Sequence, residues 1–140
     1  MMTLREISAG EASFDELTAA LAANGLPSED LIAEPFRYYS WGDIAWGGIG
    51  AGQDALLRSV LVRPEARRRG AGKDVVEALT EKAKHNGVRR LWLITTDASA
   101  FFARLGWTIR DRSEAPAVIK TSSQFSSLCP ASATLMVRVL

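Results

Sequence analysis

The stretch RPEARRRGAGKDVVEAL, residues Arg63 to Leu79, holds three consecutive arginines, a glycine-rich turn and the beginning of a helical pattern. The residues before it, DALLRSVLV, are typical of a β-strand, and Pro64 ends that strand. The block therefore lies where a strand leads into a helix. Three interpretations are open for it: a solvated run of charge, a nucleic-acid contact, or a site for a ligand that carries phosphates.

The charge balance of the whole chain favours the third interpretation. The 140 residues carry 17 lysines and arginines against 16 acidic residues, a formal net charge of +1. A dedicated nucleic-acid binder normally has a strong basic excess, so we expect no nucleic-acid partner. A local cationic cluster on a nearly neutral protein suits a small anionic ligand better than a polymer. The length fits one domain, residues 1–140.

The cysteine count and the apolar pattern predict a cytoplasmic protein without a membrane partner. Cys129 is the only cysteine, which fits a reducing compartment and excludes an internal disulfide framework. No apolar run approaches the roughly 18 residues that span a bilayer, and no signal peptide is visible. Cys129 is expected to be a small buried hydrophobic residue. No metal site is predicted.

The pattern of elements predicts an α+β fold with a mixed sheet, because antiparallel strands come first and a strand–helix–strand unit follows. Ser13 and Glu16 fit a capping box at the start of the first helix. The predicted strands are Thr3–Ser8, two within Phe36–Gly50 that turn at Trp41–Asp43, Asp54–Val62, Arg90–Ile94, Trp107–Asp111 and Ala133–Leu140. The predicted helices are Ser13–Pro27, one from Gly72 to a stop at Asn86–Gly87, and Ala98–Gly106. Residues 113–130 predict at most a short helix within an irregular connection.

The glycine-rich turn has the chemistry of a pyrophosphate site. A helix N-terminus offers backbone N–H groups and partial positive charge, and glycine at positions 70 and 72 lets a phosphate approach the backbone. A P-loop is excluded, because Asp74 stands where Ser or Thr must follow the lysine. A dinucleotide fingerprint occurs formally at Gly50–Ala55, but a strand rather than a helix follows it, so we interpret those glycines as a hairpin turn.

Three stretches together carry a family resemblance. The pattern (Q/R)-x-x-G-x-(G/A) falls at Arg67–Gly72 on a strand-to-helix junction, and LWLI and AFFARLGW follow in order. The chain thereby resembles the GNAT superfamily of acyl-CoA-dependent N-acetyltransferases over nearly its whole length. The resemblance implies a GNAT-like, mostly antiparallel mixed sheet with flanking helices. It also implies acetyl-CoA as co-substrate, a small amine as acceptor, and a possible homodimer.

The resemblance assigns cofactor contacts by position. The last strand residues before the turn would pair with the pantetheine arm, and a splay from the next parallel strand, Leu91–Ile94, would admit the thioester. The pantetheine residues are then Val60, Leu61 and Val62. The remaining cofactor-binding residues are Arg67, Arg68, Arg69, Gly70, Ala71, Gly72, Lys73, Phe101 and Phe102.

The catalytic assignments are less complete. The family implies direct attack by the amine, with the N–H of Val62 or Leu61 as oxyanion donor. Phe102 occupies the position where the family often has a tyrosine that protonates the departing thiolate, and a phenyl ring cannot do so. This leaves a non-catalytic acyl-CoA-binding module or sensor as the alternative function.

The general base is open. The candidate bases are Glu34, Asp43 and Glu114. Arg58 lies in an otherwise apolar strand, where it either forms a structural ion pair or contacts an acidic acceptor.

A narrower resemblance concerns the acceptor. ALLRSVLVRPEARRRGAG, LITTDASAFFARLGW and DRSEAPAVIKTSSQFSSLCPASA resemble a GNAT subgroup associated with bacterial arsenic-resistance operons. That subgroup implies a small amine that contains arsenic, although no residue by itself indicates arsenic chemistry.

Overall fold

The structure is a computed structural model that describes residues 3–25, 36–67, 70–122, 125 and 133–140. Within these residues the helices are α1 (Ala12–Ala23), α2 (Ala71–His85), α3 (Ser99–Arg104) and α4 (Ala117–Lys120). The strands are β1 (Leu4–Ile7), β2 (Arg37–Trp41), β3 (Ala45–Ile49), β4 (Asp54–Val62), β5 (Arg90–Thr95), β6 (Thr108–Arg110) and β7 (Thr134–Val139). No helix in these ranges is long and apolar enough to cross a membrane.

The strands of the described residues form one sheet in the order β1-β2-β3-β4-β5-β7-β6. Every neighbouring pair is antiparallel except β4 and β5, which are parallel and joined through α2. A parallel pair needs a crossover connection, and α2 supplies it. The predicted α+β class, mixed sheet and central strand–helix–strand unit are confirmed.

The core lies on both faces of this sheet. Helices α2 and α3 cover one face, where Val75, Val76 and Leu79 of α2 are fully buried. On the other face, α1 covers a cluster around Trp46 and α4 covers a cluster around Trp92. Helices bury both sides of β5, which explains why its middle residues, Leu91–Ile94, are all apolar.

Most predicted elements form at their predicted positions. Strand β4 has the predicted bounds, and α2 ends where Gly87 adopts a φ of 92°. The β2–β3 turn has positive φ at two consecutive residues, Gly42 (55°) and Asp43 (54°), as a type I′ turn requires, and Trp41 pairs with Ala45 across a loop of three residues. Gly52 (φ 100°) lies in the β3–β4 turn, which confirms that the glycines of residues 50–55 form a hairpin.

The predicted cap of the first helix is wrong. Helix α1 begins at Ala12 with Glu11 at the N-cap position, two residues before the predicted cap, and Ser13 lies inside the helix. The Ser13 hydroxyl donates to the Asp43 carboxylate and accepts from the Trp46 indole N–H, while Glu16 pairs with Arg63. Tertiary hydrogen bonds thus replace the local cap that the sequence favours.

Asp43 is the centre of a polar network at this end of the sheet. Its carboxylate accepts from the hydroxyls of Ser40 (2.9 Å) and Ser13 (3.1 Å), and Arg5 lies 3.7 Å away. Hydrogen bonds from Ser40 and then Ser13 hold the pKa of Asp43 below its ordinary value of 3.8; partial burial opposes this, and Arg5 and Arg63 add to it. The carboxylate therefore fixes the β2–β3 turn to α1.

The lowered pKa of Asp43 predicts a pH dependence of stability. Its contribution to the free energy of unfolding should be complete above the ordinary aspartate pKa and should disappear as pH falls through the lowered value. Asparagine tolerates the left-handed backbone at this position, so Asp43→Asn removes the charge alone. In urea unfolding the wild type should be more stable at pH 7, and the difference should shrink on acidification below about pH 4.

Asp97→Asn is the matched control, because Asp97 is exposed and its side chain makes no hydrogen bond within the described residues. A wild-type minus Asp43→Asn difference that stays constant between pH 7 and pH 2 contradicts the prediction.

Candidate functional site

Strand β4 contains a bulge that divides it into two parts. Gly48 pairs with Arg58 and Trp46 pairs with Leu61, so Gly47 of β3 faces two residues of β4, Ser59 and Val60. Ser59 has a φ of 57°, a left-handed conformation that is uncommon for a residue other than glycine. Such a bulge bends the strand and increases its twist, and it changes the direction of the last three residues of β4.

Beyond the bulge one edge of β4 is open. The parallel pairing with β5 covers only Asp54–Leu56 against Arg90–Trp92, while β4 continues to Val62. This divergence is the splay that the resemblance implied. The Arg63 N–H donates to Ile44 O on the β3 side. Because the N–H groups of successive strand residues point to opposite edges, the Val62 N–H faces the splay and the Leu61 N–H does not.

The glycine-rich turn lies at the end of this open edge. Gly70 is the N-cap residue of α2 with a φ of 77°, and no side chain caps it. The first backbone hydrogen bond of the helix runs from the Asp74 N–H to Gly70 O, so the preceding N–H groups lack intrahelical partners. Such groups, together with the helix dipole, favour an anion, and binding of the pyrophosphate at this turn stays a prediction.

Phe101 closes the site from α3. A Cβ atom on Gly72 would lie 3.4 Å from Phe101 Cζ and 4.0 Å from Val62 Cγ2. The turn, the end of β4 and the half-buried Phe101 ring therefore meet at one place. Phe102, in contrast, is only 7% exposed and packs edge-on against Phe101 and Trp107. Its ring is part of the core, and its contact with the cofactor stays a prediction.

Arg67 makes contacts that the sequence did not reveal. Its Nε donates to Val62 O (3.0 Å), and its Nη2 donates to Asn24 Oδ1 (3.2 Å) at the end of α1. The side chain thus holds the end of β4 against α1. Contact of Arg67 with a phosphate stays a prediction. Arg68 and Arg69 lie outside the described residues, and Lys73 is exposed in the first turn of α2.

Arg58 is 2% exposed, on the face of the sheet covered by α1 and α4. Its Nε donates to the Ser59 hydroxyl (2.9 Å), and its guanidinium lies 5.4 Å from the centre of the Phe36 ring. Ser59 and the Phe36 ring therefore both hold the Arg58 guanidinium in place. Whether Arg58 contacts an acceptor stays a prediction.

The structure narrows the search for a general base. Asp43 holds the β2–β3 turn, and Glu114 accepts from the Asp111 N–H in a capping box. Each of these two carboxylates therefore has a structural role. Glu34 and Cys129 lie outside the described residues. Within the described residues no three or more His, Cys, Asp or Glu side chains cluster as metal ligands would.

Sequence reasoning missed the bulge and the close packing opposite it. A Cβ on Gly48 would lie 2.7 Å from Tyr38 Cε1, and one on Gly47 would overlap Leu79 Cδ1. Two adjacent glycines inside a strand were the available signal, because glycine there often marks a bulge or a close approach.

Comparison with known families decides the identity of this arrangement. The profile of the Acetyltransferase (GNAT) family matches residues 33–107, more than half of the chain, including the bulged strand, the turn and α3. The chain belongs to the GNAT acetyltransferase family. A search of curated proteins gave no match.

Several solved structures share the fold. A Bacillus subtilis acetyltransferase in complex with CoA is 17% identical with a TM-score of 0.70, and the alignment covers 100% of this chain and 99% of that one. A GNAT acetyltransferase from Elizabethkingia anophelis with acetyl-CoA bound is 16% identical with a TM-score of 0.69, covering 99% and 98%. N-acetylglutamate synthase from Neisseria gonorrhoeae, complexed with CoA and N-acetyl-glutamate, gives a TM-score of 0.77 at 17% identity. The alignment covers all of this chain but only 35% of that longer enzyme.

The left-handed residue in β4 gives a stability prediction. Ser59→Val places a β-branched side chain at a positive φ and removes the hydroxyl that accepts from Arg58 Nε, so we expect a loss of about 1–3 kcal/mol in the free energy of unfolding by urea denaturation. Thr134→Val is the control, because it introduces valine at a regular position of β7 and should change stability by less than about 0.5 kcal/mol. Equal stability of the two variants would show that the bulge is not strained.

Proposed function

We propose that this GNAT protein transfers an acetyl group from acetyl-CoA to the amine of a small molecule. One observation carries the proposal: an uncapped helix N-terminus with glycines at 70 and 72 lies at the open edge of a bulged strand. The turn suits the CoA pyrophosphate, and the edge of β4 offers backbone groups to the amides of the pantetheine arm. The CoA complexes of the structural neighbours support this assignment.

The chemistry follows from the splay between β4 and β5. The amine nitrogen attacks the thioester carbonyl carbon, and the carbonyl oxygen becomes an oxyanion to which the Val62 N–H donates. The C–S bond then breaks, the amide carries the acetyl group, and free CoA leaves as thiol or thiolate after the amine has lost a proton. The protein contributes mainly orientation of the two reactants and stabilisation of the oxyanion.

Phe102 supports a second candidate, a module that binds acyl-CoA without turnover. The ring sits in the core in place of the family's frequent tyrosine acid, and Asp43 and Glu114 are held by structural contacts. A thiol with a pKa near about 8.5 can nevertheless leave unprotonated. We therefore assign the protein as an enzyme, with Glu34 as the candidate base and Arg58 as a candidate contact for the acceptor.

The acceptor pocket that we propose lies beside the beginning of the splay. A cavity of about 230 Å³ opens next to Leu56, the last β4 residue paired with β5, and Phe36 and Ile119 line it. Its volume is below the roughly 300–1,000 Å³ of drug-sized sites, which favours a small acceptor. Asp54 also lines it. Burial raises the pKa of Asp54, but hydrogen bonds from Arg90 and Trp92 outweigh this and hold the pKa below its ordinary value.

The narrower resemblance leads us to propose an amine that carries an arsenic oxyacid group as the acceptor, in arsenic resistance. Release of CoA thiol should be faster with such an amine than with the same amine carrying a phosphorus oxyacid group. Equal rates, or a preference for the phosphorus compound, would remove arsenic from the proposal and leave the acetyltransferase assignment in place.

Acetyl-CoA should stabilise the protein against thermal unfolding. At about 100-fold above its dissociation constant, stabilisation should be about 2.7 kcal/mol, an upward shift on the order of several degrees. Thiol release with a panel of amines, measured in the same samples, separates the two candidates. A shift with release supports the enzyme, and a shift without release supports the binding module. The absence of a shift contradicts both.

Gly70→Val should greatly weaken acetyl-CoA binding and leave the fold intact. Both Gly70 and Gly87 have positive φ, and an added Cβ would have no neighbour within 4 Å among the described residues; the two glycines flank opposite ends of α2. The two valine substitutions should therefore cause similar backbone strain. Only Gly70→Val should lower affinity in calorimetric titration, because its side chain would occupy the phosphate position. Equal affinity of both variants would place the pyrophosphate elsewhere.

A further inference from the structure

A groove of about 450 Å³ lies between α2 and α3, on the face of the sheet that α2 covers. Lys73, Arg104 and Arg138 supply three cations to its lining, and Glu77 supplies the one carboxylate. These residues come from three separate elements, the first turns of α2, the end of α3 and strand β7. The fold, rather than a run of sequence, therefore gathers the positive charge.

The cations of this groove make no hydrogen bond or ion pair with any residue in the described ranges. Arg90 and Arg63, in contrast, form ion pairs with Asp54 and Glu16. Three arginines outside the groove also lack a side-chain partner within the described residues: Arg37, Arg89 and Arg110. Lys73 and Glu77, four residues apart on α2, do not form an ion pair either. A groove whose cations outnumber its carboxylates three to one attracts an anion.

The groove begins where the glycine-rich turn ends. Lys73 belongs to the first turn of α2, and Phe101, which lines the groove, is the residue whose Cζ lies 3.4 Å from the Cβ position of Gly72. From Lys73 to Glu77 the groove runs about 6 Å along α2. An anion in it would therefore lie beside a pyrophosphate held at the turn.

CoA carries a second phosphate close to its pyrophosphate, as a ligand that fills both the turn and the groove requires. Its ribose bears the pyrophosphate at C5′ and a phosphate monoester at C3′, so the two groups must occupy neighbouring sites. A phosphate monoester carries about 1.5–2 negative charges at neutral pH. Arginine binds such a group through two parallel N–H donors of its planar guanidinium.

We propose that this groove binds the ribose 3′-phosphate of CoA, with Arg104 and Arg138 as its principal ligands and Lys73 shared with the turn. The proposal rests on the proposed CoA-dependent function. It adds a selectivity: the protein discriminates CoA from 3′-dephospho-CoA, which has the same pyrophosphate and pantetheine arm. The negative charge of Glu77 repels the phosphate and lowers the affinity of the groove for it.

The test compares the two ligands by calorimetric titration of the full chain. Wild type should bind CoA about tenfold or more tightly than 3′-dephospho-CoA. The Arg104→Ala, Arg138→Ala double variant should lose this preference while its affinity for 3′-dephospho-CoA stays unchanged, which also shows that it is folded. Glu77→Gln should strengthen CoA binding severalfold and leave 3′-dephospho-CoA binding unchanged.

Arg89→Ala is the matched control. It removes the same charge from a second groove of about 440 Å³, formed in part by Gln53 and Val139, and should change neither affinity. Equal wild-type affinities for the two ligands, or a preference that survives the double variant, overturn the 3′-phosphate site and leave CoA binding in place. Failure of both ligands to bind overturns the proposed function itself.

Discussion

The arrangement of the site depends on one backbone conformation, the left-handed Ser59 in the middle of β4. Because Ser59 and Val60 together face the single residue Gly47, the strand changes direction there and its last residues leave β5. The same bulge presents the Val62 N–H to the open edge and places Arg58 against the Ser59 hydroxyl. Such strain persists only where the surrounding structure fixes it, and here close packing opposite the bulge does so. Gly48 leaves room for the Tyr38 ring, and Gly47 leaves room for Leu79.

A second constraint holds the ends of the open strand. Arg63 follows β4 directly; its Nε donates to Asp43 O (2.6 Å), its Nη2 pairs with Glu16, and its guanidinium lies 4.7 Å from the centre of the Trp46 ring. Arg67 then holds Val62 O. Charged and polar groups thus fix the strand end against α1 and the β2–β3 turn. A site that must position two reactants needs such support, because small displacements of a reactant reduce the rate strongly.

The basic side chains fall into two groups, those that hold the fold together and those without a partner among the described residues. Several arginines that fix the fold are paired with carboxylates or stacked on aromatic rings, as with Arg90, which pairs with Asp54 and lies 5.7 Å from the centre of the Trp92 ring. The cations beside the glycine-rich turn have no such partners within the described residues. On a chain with a net charge of only +1, the three cations of the groove give the region beside the turn a local positive field. This field suits a compact polyanion such as CoA better than an extended one.

The sequence alone determined the class of the fold, most element positions and the glycine-rich start of α2, because periodicity, turn residues and a helix start act over short distances. It did not determine the start of α1. Ser13 and Glu16 form a local capping pattern in the sequence, but in the structure their side chains bond to residues far along the chain, namely Asp43, Trp46 and Arg63. Nor could it show that Val62 rather than Leu61 faces the splay, since that depends on the bulge and its register. Lys73, Arg104 and Arg138 lie up to 65 residues apart in sequence. Only the packing of α2, α3 and β7 brings them to one groove, because tertiary structure alone decides which distant charges become neighbours.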